Sequence, residues 1–228
     1  MRRFFVSSLP TQHHPHCILT PSETHHLFRV VKIAIGEAIV LFDGKGSACI
    51  AHLVNTQHQQ AVVEWKETIE EESRLHEVWL YVSVLKEQAW STSLRMATEL
   101  GVHHIVPIVS NNTIVRKEKR ERWQSIILAS AKQSGRNKLP MLHTMISFSD
   151  IASCCISARY ILSPSPSNIP SLLPIASDTA LCIGPEGGFT QEEITKATQH
   201  GWVATGLGEK VLRADTAVVA ALSLFLFS

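Results

Sequence analysis

The sequence predicts an α/β protein in which a β-rich N-terminal domain, residues 1–72, precedes a larger domain of alternating strands and helices, residues 73–228. Two observations support this prediction. Short runs of β-branched and aromatic residues, separated by turn formers, fill the first part. Apolar strand-like runs alternate with helix-spaced runs in the second. Such alternation favours a mostly parallel sheet with helices on both faces, which binds ligands at the carboxyl ends of its strands.

Three short runs define the strands of the N-terminal part: "EAIVLFDG", "ACIAHLV" and "QAVVEWKE". The dipeptide Asp43-Gly44 and the polar stretch "NTQHQQ" separate them as turns. Short strands with tight connections predict a small barrel or sandwich. The acidic stretch "ETIEEES" that follows is typical of a linker.

Strands and helices alternate from about residue 77. The predicted strands are "VWLYVSVL", "HHIVPIVS", "ARYILSPS" and "DTALCIGP". The predicted helices are "WSTSLRMATELG", which Gly101 ends, "EKRERWQSIILASAKQSG", "TQEEITKATQH" and a last helix that begins near Thr216. Thr190 is the expected N-cap of the third helix, and Glu193 completes a capping box with it.

The composition is that of a globular protein, with 45% hydrophobic and 18% charged residues. The net charge of +1 does not by itself indicate a polyanionic partner. Five cysteines without a CxxC pair indicate reduced thiols and a cytoplasmic location. The longest apolar run, Ala217 to Phe227, is shorter than the ~20 residues that cross a bilayer, so we expect a buried helix and no membrane segment.

Two glycine-rich stretches follow predicted strands. The first, "IGPEGGF", matches neither the P-loop nor the GxGxxG pattern, which disfavours a nucleoside triphosphate and an NAD-type pyrophosphate. Its glycines permit a ligand to approach the backbone closely, or they form a tight turn without a ligand. The second, "GLGEKVLRADTA", sets Arg213 and Asp215 just before an apolar helix. It is either a site or a solvated turn whose acid favours the helix dipole.

Basic residues cluster in "RKEKRERW", residues 116–123, and in "KQSGRNK", residues 132–138. The two clusters bracket one predicted helix and indicate either phosphate contacts or an ordinary solvated helix face. The histidine pairs, by contrast, lack the HExxH pattern and any cysteine partner at zinc spacing, so no metal site is predicted.

These motifs together resemble the RsmE family of 16S rRNA uridine methyltransferases, within the SPOUT superfamily. The resemblance lies in "RRFF" and "HHLFRVVKIAIGEAIVLFDGKG" near the start, "ATELGVHHIVPIVS" and "AKQSGRNKLP" in the middle, and "IGPEGGFTQEEI" and "LGEKVLRADTA" near the end. It implies a PUA-like β-barrel, an α/β SPOUT domain with a trefoil knot, S-adenosylmethionine as cofactor, 16S rRNA of the small ribosomal subunit as substrate, and a homodimer.

The resemblance also assigns site residues. Those implied for the cofactor are Leu162, Ser163, Gly184, Pro185, Glu186, Gly187, Gly188, Leu207, Gly208, Val211, Leu212, Arg213 and Thr216. Those implied for RNA are Arg2, Arg3, Arg29, Lys86, Arg122, Gln133 and Arg136. Arg213 is the catalytic candidate, since a cation can stabilise negative charge on the uracil oxygens. The alternative is a structural ion pair of Arg213 with Asp215 or Glu186.

The chain departs from the family at a few positions. Asp215 stands where the family usually has Glu, Val211 makes its loop mildly divergent, Met96 stands where a basic residue is common, and an expected Arg is missing near Asn112. Two other functions stay open on the sequence. One is a methyltransferase of the same fold that acts on another RNA, such as tRNA. The other is a non-catalytic RNA-binding factor for ribosome assembly.

Overall fold

The computed structural model describes residues 1–70, 76–163 and 177–226. These residues form two compact units. Unit 1 holds the described residues up to 70 together with Ala131–Leu139, and unit 2 holds the other described residues. The predicted domain boundary between residues 72 and 73 lies outside the described residues and stays a prediction.

Unit 1 contains a five-stranded sheet in the order β1-β3-β4-β5-β2. β1 runs parallel to β3, and the other neighbours are antiparallel. Its strands are β1 Arg3–Phe5, β2 His16–Ile18, β3 Ala38–Phe42, β4 Ala48–Gln57 and β5 Gln60–Ile69. The three strands predicted for this part are therefore confirmed. The predicted linker was wrong at its start, because residues 67–69 belong to β5, and its residues 71–73 lie outside the described range.

One apolar core organises unit 1. Phe4 on β1 and Cys17 on β2, the two edge strands, pack against the same cluster as Leu53 on the central strand β4. Because both edges contribute to one core, the sheet has to curl around it. Helix α1, Pro21–His25, and a π-helical turn, His26–Val31, add Leu27, which is fully buried.

The segment Ala131–Leu139 is attached to the strands of unit 1 by polar contacts. Lys132 forms an ion pair with Glu23, and the Arg3 guanidinium donates a hydrogen bond to the Asn137 side chain. The Leu139 amide donates to the Gly44 carbonyl at 2.9 Å. Residues distant in sequence therefore complete this unit.

Unit 2 contains a parallel sheet in the order β12-β10-β11-β6-β7-β8, with β9 paired to β7. Every strand pairing in it is parallel. The strands are β6 Val78–Ser83, β7 His104–Val109, β8 Met141–Leu142, β9 Ile146–Ser147, β10 Ala158–Leu162, β11 Thr179–Ile183 and β12 Val203–Thr205. The predicted parallel α/β sheet is confirmed, and its carboxyl ends all point to one edge.

Helices connect these strands. They are α2 Glu87–Leu100, α3 Arg120–Ser134, a 3-10 helix Phe148–Ser153, α4 Gln191–Gln199 and α5 Ala214–Leu226. The last four residues of α3 are grouped with unit 1. Gly101 ends α2 in the left-handed region, as predicted. Thr190 and Glu193 form both hydrogen bonds of the capping box at the start of α4, which confirms that prediction.

Helix α5 is the apolar C-terminal helix. It begins at Ala214, two residues before the predicted start, and it buries Val218, Leu222 and Phe225 while packing beside α2. Its predicted end at Phe227 lies outside the described residues. Within the described ranges, no helix combines the length and the apolar character that crossing a membrane requires. The trefoil knot stays a prediction.

Candidate active site

The carboxyl ends of three neighbouring strands border a cavity in unit 2. β10 lies between β11 and β12, so Leu162, Ile183 and Thr205, the last residues of the three strands, reach the same edge of the sheet. The pairing continues past β10, because the Ser163 amide donates to the Thr205 carbonyl at 2.9 Å. A cavity of about 230 Å³ opens at this edge.

Most of the residues predicted for the cofactor line this cavity. The lining includes Leu162, Ser163, Gly184, Pro185, Glu186, Gly187, Gly188, Leu207, Gly208, Val211 and Leu212. Arg213 and Thr216 are exposed and lie outside the lining. The structure thus brings both glycine-rich stretches and the end of β10 together around one space.

The lining also contains residues that sequence reasoning missed: Ile183, Phe189, Lys210, Ala214 and Ala217. Ala214 and Ala217 stand three positions apart in the first turn of α5, so they share one face of the helix. Small residues at this spacing just after a glycine-rich loop were the available signal. Lys210 and Glu186 are the only charged side chains in the lining formed by the described residues.

A tight turn, residues 185–188, forms the wall after β11. The Gly188 amide donates to the Pro185 carbonyl at 2.8 Å, and Gly188 has a φ of 67°, in the left-handed region where glycine is favoured. Gly187 is needed for a different reason. A Cβ built on it would lie 3.2 Å from the Cβ of Asn112. The glycine therefore permits the close approach of Asn112, which stands near the position where the family resemblance leads one to expect an arginine.

Glu186 connects the same turn to α2. Its Oε1 accepts a hydrogen bond from the Lys86 backbone amide at 3.0 Å, and Lys86 is the N-cap of α2. A carboxylate at this end of a helix is favourable, because the helix dipole is positive there. The side chains of Lys86 and Glu186 are both exposed.

Arg213 stands beside the cavity on the loop that enters α5. Its guanidinium is exposed and makes no ion pair or hydrogen bond within the described parts of the chain. The nearby Asp215 carboxylate instead accepts a hydrogen bond from the Thr216 amide at 3.0 Å. The alternative of a structural ion pair with Asp215 or Glu186 therefore finds no support, and the Arg213 charge is available to a bound molecule.

Cys182 lies one residue before the end of β11 and is fully buried. Burial is the main reason why the pKa of this thiol is raised well above its ordinary value. The neighbouring Cys154 and Glu193 raise it further. Because the thiolate is the reactive form, Cys182 is suited to packing and not to nucleophilic chemistry.

The residues predicted to bind RNA fall in both units. In unit 1 they are Arg2, Arg3, Arg29, Gln133 and Arg136. Arg2, Arg29 and Gln133 are exposed, whereas Arg136 is partly buried. Arg3 is also partly buried, and its guanidinium carbon lies 5.3 Å from the centre of the Phe42 ring. A cation–π contact of this kind holds Arg3 within the unit.

In unit 2 the predicted RNA-binding residues are Lys86 and Arg122. Arg122 Nη2 lies 2.6 Å from Glu87 Oε1, and Lys119 Nζ lies 3.1 Å from Glu87 Oε2. The hydrogen bond from Lys119 is the main reason why the pKa of the Glu87 carboxyl is lowered. The positive charge of Arg122 lowers it further. Part of the positive charge in the "RKEKRERW" cluster is thus neutralised by Glu87.

The remaining departure from the family pattern, Met96, is a partly buried residue of α2, and its neighbour Arg95 forms an ion pair with Glu99 at 3.3 Å. Among the described residues, no three His, Cys, Asp or Glu side chains are grouped so that they could hold a metal ion.

Comparison with known proteins supplies the family. A family model described as an RNA methyltransferase domain matches residues 71–226, and one described as an RNA methyltransferase PUA domain matches residues 19–64. The ribosomal RNA small subunit methyltransferase E of Bacillus subtilis is 30% identical, with 98% of this chain and 95% of the relative covered. The chain belongs to the ribosomal RNA small subunit methyltransferase E family. The resemblance to RsmE proteins and the PUA-like N-terminal domain are thereby confirmed.

Solved structures of similar proteins agree with this family. The ribosomal RNA small subunit methyltransferase E of Neisseria gonorrhoeae, bound to S-adenosyl methionine, has a TM-score of 0.86 and is 29% identical, with 98% of this chain and 95% of that chain covered. A structure from Legionella pneumophila with bound cofactor SAM also has a TM-score of 0.86, at 28% identity, with 97% and 95% covered. The similarity spans nearly the whole chain in both cases.

Proposed function

We propose that this protein transfers a methyl group from S-adenosylmethionine to ring nitrogen 3 of a uridine in 16S rRNA of the small ribosomal subunit. The cavity at the ends of β10, β11 and β12 carries the proposal, because it gathers both glycine-rich loops at one edge of the sheet. Membership of the family makes the protein an RNA methyltransferase, and its relatives are named for the RNA of the small subunit. The choice of uridine and of ring nitrogen 3 rests on the family resemblance.

The cavity lining fits S-adenosylmethionine chemically. Leu162, Leu207 and Leu212 offer apolar surface for an adenine ring, and the glycines expose backbone amides and carbonyls for its polar edge. Glu186 is suited to the ammonium group of the methionine part and Lys210 to its carboxylate. When it is bound, this cofactor supplies a methyl group that its sulfonium already activates.

The protein's own task is then alignment and the placement of charge. Ring nitrogen 3 of uracil carries a proton at neutral pH, and it becomes a nucleophile as that proton passes to solvent water. The resulting negative charge is shared by the two carbonyl oxygens that flank the nitrogen. Arg213 is placed beside the cavity with a guanidinium that has no partner among the described residues, so it can donate to those oxygens.

Unit 1 is proposed to hold the RNA backbone. Arg2 and Arg29 are exposed there, and Gln133 and Arg136 belong to the segment that completes the same unit. Phosphate contacts from such residues would position the substrate without reading its sequence. A folded RNA would be recognised by its shape and by unstacked bases.

We also propose that the protein acts as a homodimer in the cytoplasm. The family resemblance suggested the homodimer, and the cysteine content suggested the cytoplasmic location. Within unit 2, Val211 is 84% exposed and Ile114 is 68% exposed, and a partner would remove such apolar side chains from water. The apolar α5, in contrast, already uses Val218 and Leu222 for packing within the chain.

A transfer assay tests the proposed function. Purified small subunits, large subunits and tRNA are incubated separately with the protein and with methyl-labelled S-adenosylmethionine, and the RNA is digested to nucleosides. We expect label in 3-methyluridine from the small subunit alone. Label in tRNA would identify tRNA as the substrate in place of 16S rRNA. Cofactor binding without transfer to any of these RNAs would favour the non-catalytic assembly factor.

A further inference from the structure

A side chain from a separate loop holds the turn that forms one wall of the cavity. We infer that Asn112 is a positioning residue: it fixes the carbonyl groups of Gly187 and Gly188 and thereby sets the affinity of the cavity for the cofactor. This inference rests on the proposed binding of S-adenosylmethionine. It assigns a role to a residue at which the chain departs from its family.

The contacts define which atoms of Asn112 face the turn. Its Nδ2 lies 3.2 Å from the Gly187 carbonyl oxygen and 3.0 Å from the Gly188 carbonyl oxygen. Carbonyl oxygens only accept, so the amide NH₂ and not the amide oxygen points to them. The same NH₂ group therefore lies within hydrogen-bond distance of both carbonyl oxygens.

Asn112 is itself carried by a loop with a buried anchor. The hydroxyl groups of Ser83 and Ser110 lie 3.0 Å apart, and those of Ser110 and Thr113 are also 3.0 Å apart. All three residues are at most 4% exposed. A buried and satisfied hydroxyl network of this kind rigidifies the backbone that bears it. The exposed Asn112 is therefore presented from a fixed base, which consists of Ser83 at the end of β6 and of Ser110 and Thr113 just after β7.

The same loop also holds the helix that follows the turn. The Asn111 backbone amide donates to Glu193 Oε1 at 2.8 Å. Glu193 Oε2 accepts from the Thr190 amide at 2.9 Å, which is one half of the capping box of α4. The loop thus contacts both the glycine turn and the helix start, so the short connection between them is fixed at both ends.

The orientation of the carbonyl groups has a consequence for ligand binding. In a trans peptide the C=O and the following N–H point in opposite directions. Fixing the Gly188 carbonyl on Asn112 therefore turns the Phe189 amide away from Asn112. In the residues that the structure describes, this amide donates no hydrogen bond, and Phe189 lines the cavity. Asn112 thus keeps a backbone donor available to a ligand.

Calorimetric titration with S-adenosylmethionine tests the inference on three variants. Asn112→Ala loses two hydrogen bonds, and we expect affinity about three- to tenfold weaker than that of the wild type. Asn112→Asp has nearly the same shape but sets carboxylate oxygens against two carbonyl oxygens, so a larger loss is expected. Gln124→Glu is the control. It adds the same charge on the exposed face of α3, at a side chain without a hydrogen bond among the described residues, and it should bind like the wild type.

Two further readouts separate positioning from a general structural role. The melting temperature of the cofactor-free Asn112→Ala protein should match the wild type. Its KM for the cofactor should rise while kcat at saturating cofactor stays unchanged. Unchanged affinity in both Asn112 variants would overturn the inference and leave the proposed function intact. An equal loss of affinity in Gln124→Glu, or a fall in melting temperature that parallels the loss of affinity, would do the same. A wild-type protein that does not bind S-adenosylmethionine would overturn both.

Discussion

The ion pair between Lys132 and Glu23 makes a strong prediction about unit 1. Lys132 lies in the segment Ala131–Leu139, which joins the N-terminal strands across a long stretch of sequence. The exposed fraction of the side chain is 8% for Glu23 and 19% for Lys132. Replacing Lys132 with Met keeps most of the chain length and removes the charge. The Glu23 carboxylate is then left buried without its cation.

The size of the effect follows from this burial. Removing one partner of a buried ion pair costs about 3–5 kcal/mol of unfolding free energy, because a charge stays uncompensated. In a protein of this size, 1 kcal/mol shifts the melting temperature by about 2–4 °C. We therefore expect Lys132→Met to lower the melting temperature of the protein by roughly 6–20 °C.

Thermal unfolding, monitored by circular dichroism, measures this shift. Two further variants test whether the buried charge causes it. Lys66→Met removes the exposed pair of Lys66 with Glu64 in the same unit, with 43% and 31% of the side chains exposed, and it should leave the melting temperature nearly unchanged. The double variant Lys132→Met with Glu23→Leu removes both charges and should recover most of the loss. The reasoning fails if Lys132→Met melts like the wild type, or if the double variant is as unstable as the single one.

Three other predictions concern the cavity and the assembly. Arg213→Ala should lower single-turnover methylation about 10²–10³-fold while melting temperature and cofactor affinity stay unchanged, and Arg213→Lys should recover only part; normal turnover on saturating RNA would remove Arg213 from the catalytic role. Gly187→Val should weaken cofactor binding in calorimetry, because its Cβ would meet Asn112 at 3.2 Å and displace it; unchanged affinity would place the site elsewhere. Sedimentation at micromolar concentration should show a dimer, and a monomer that still methylates would contradict this.

Local signals in the sequence predicted much of the fold. The capping box of Thr190 and Glu193 depends on residues three positions apart, and both of its hydrogen bonds are present. Strand and helix patterns depend on periods of 2 and 3.6 residues, and they located the parallel sheet of unit 2. The gathering of Gly184 and Leu207 around one cavity followed from the rule that parallel strands end at a common edge, together with the family resemblance.

Such local signals could not predict contacts between residues that are distant in sequence. Nothing periodic in the sequence connects Lys132 with Glu23, or Asn137 with Arg3, so the grouping of Ala131–Leu139 with unit 1 could not be predicted. Asn112 appeared only as a departure from the family, because hydrogen bonds to backbone carbonyls leave no mark on the sequence of the residues that accept them.

Nucleoside analysis of 16S rRNA by mass spectrometry tests the central claim most directly. Cells that lack the protein are compared with the same cells that carry the wild-type protein or Arg213→Ala at equal abundance. We predict that 3-methyluridine disappears from 16S rRNA when the protein is absent, returns with the wild type and returns poorly with the variant. Undiminished 3-methyluridine in cells without the protein would contradict the proposed function.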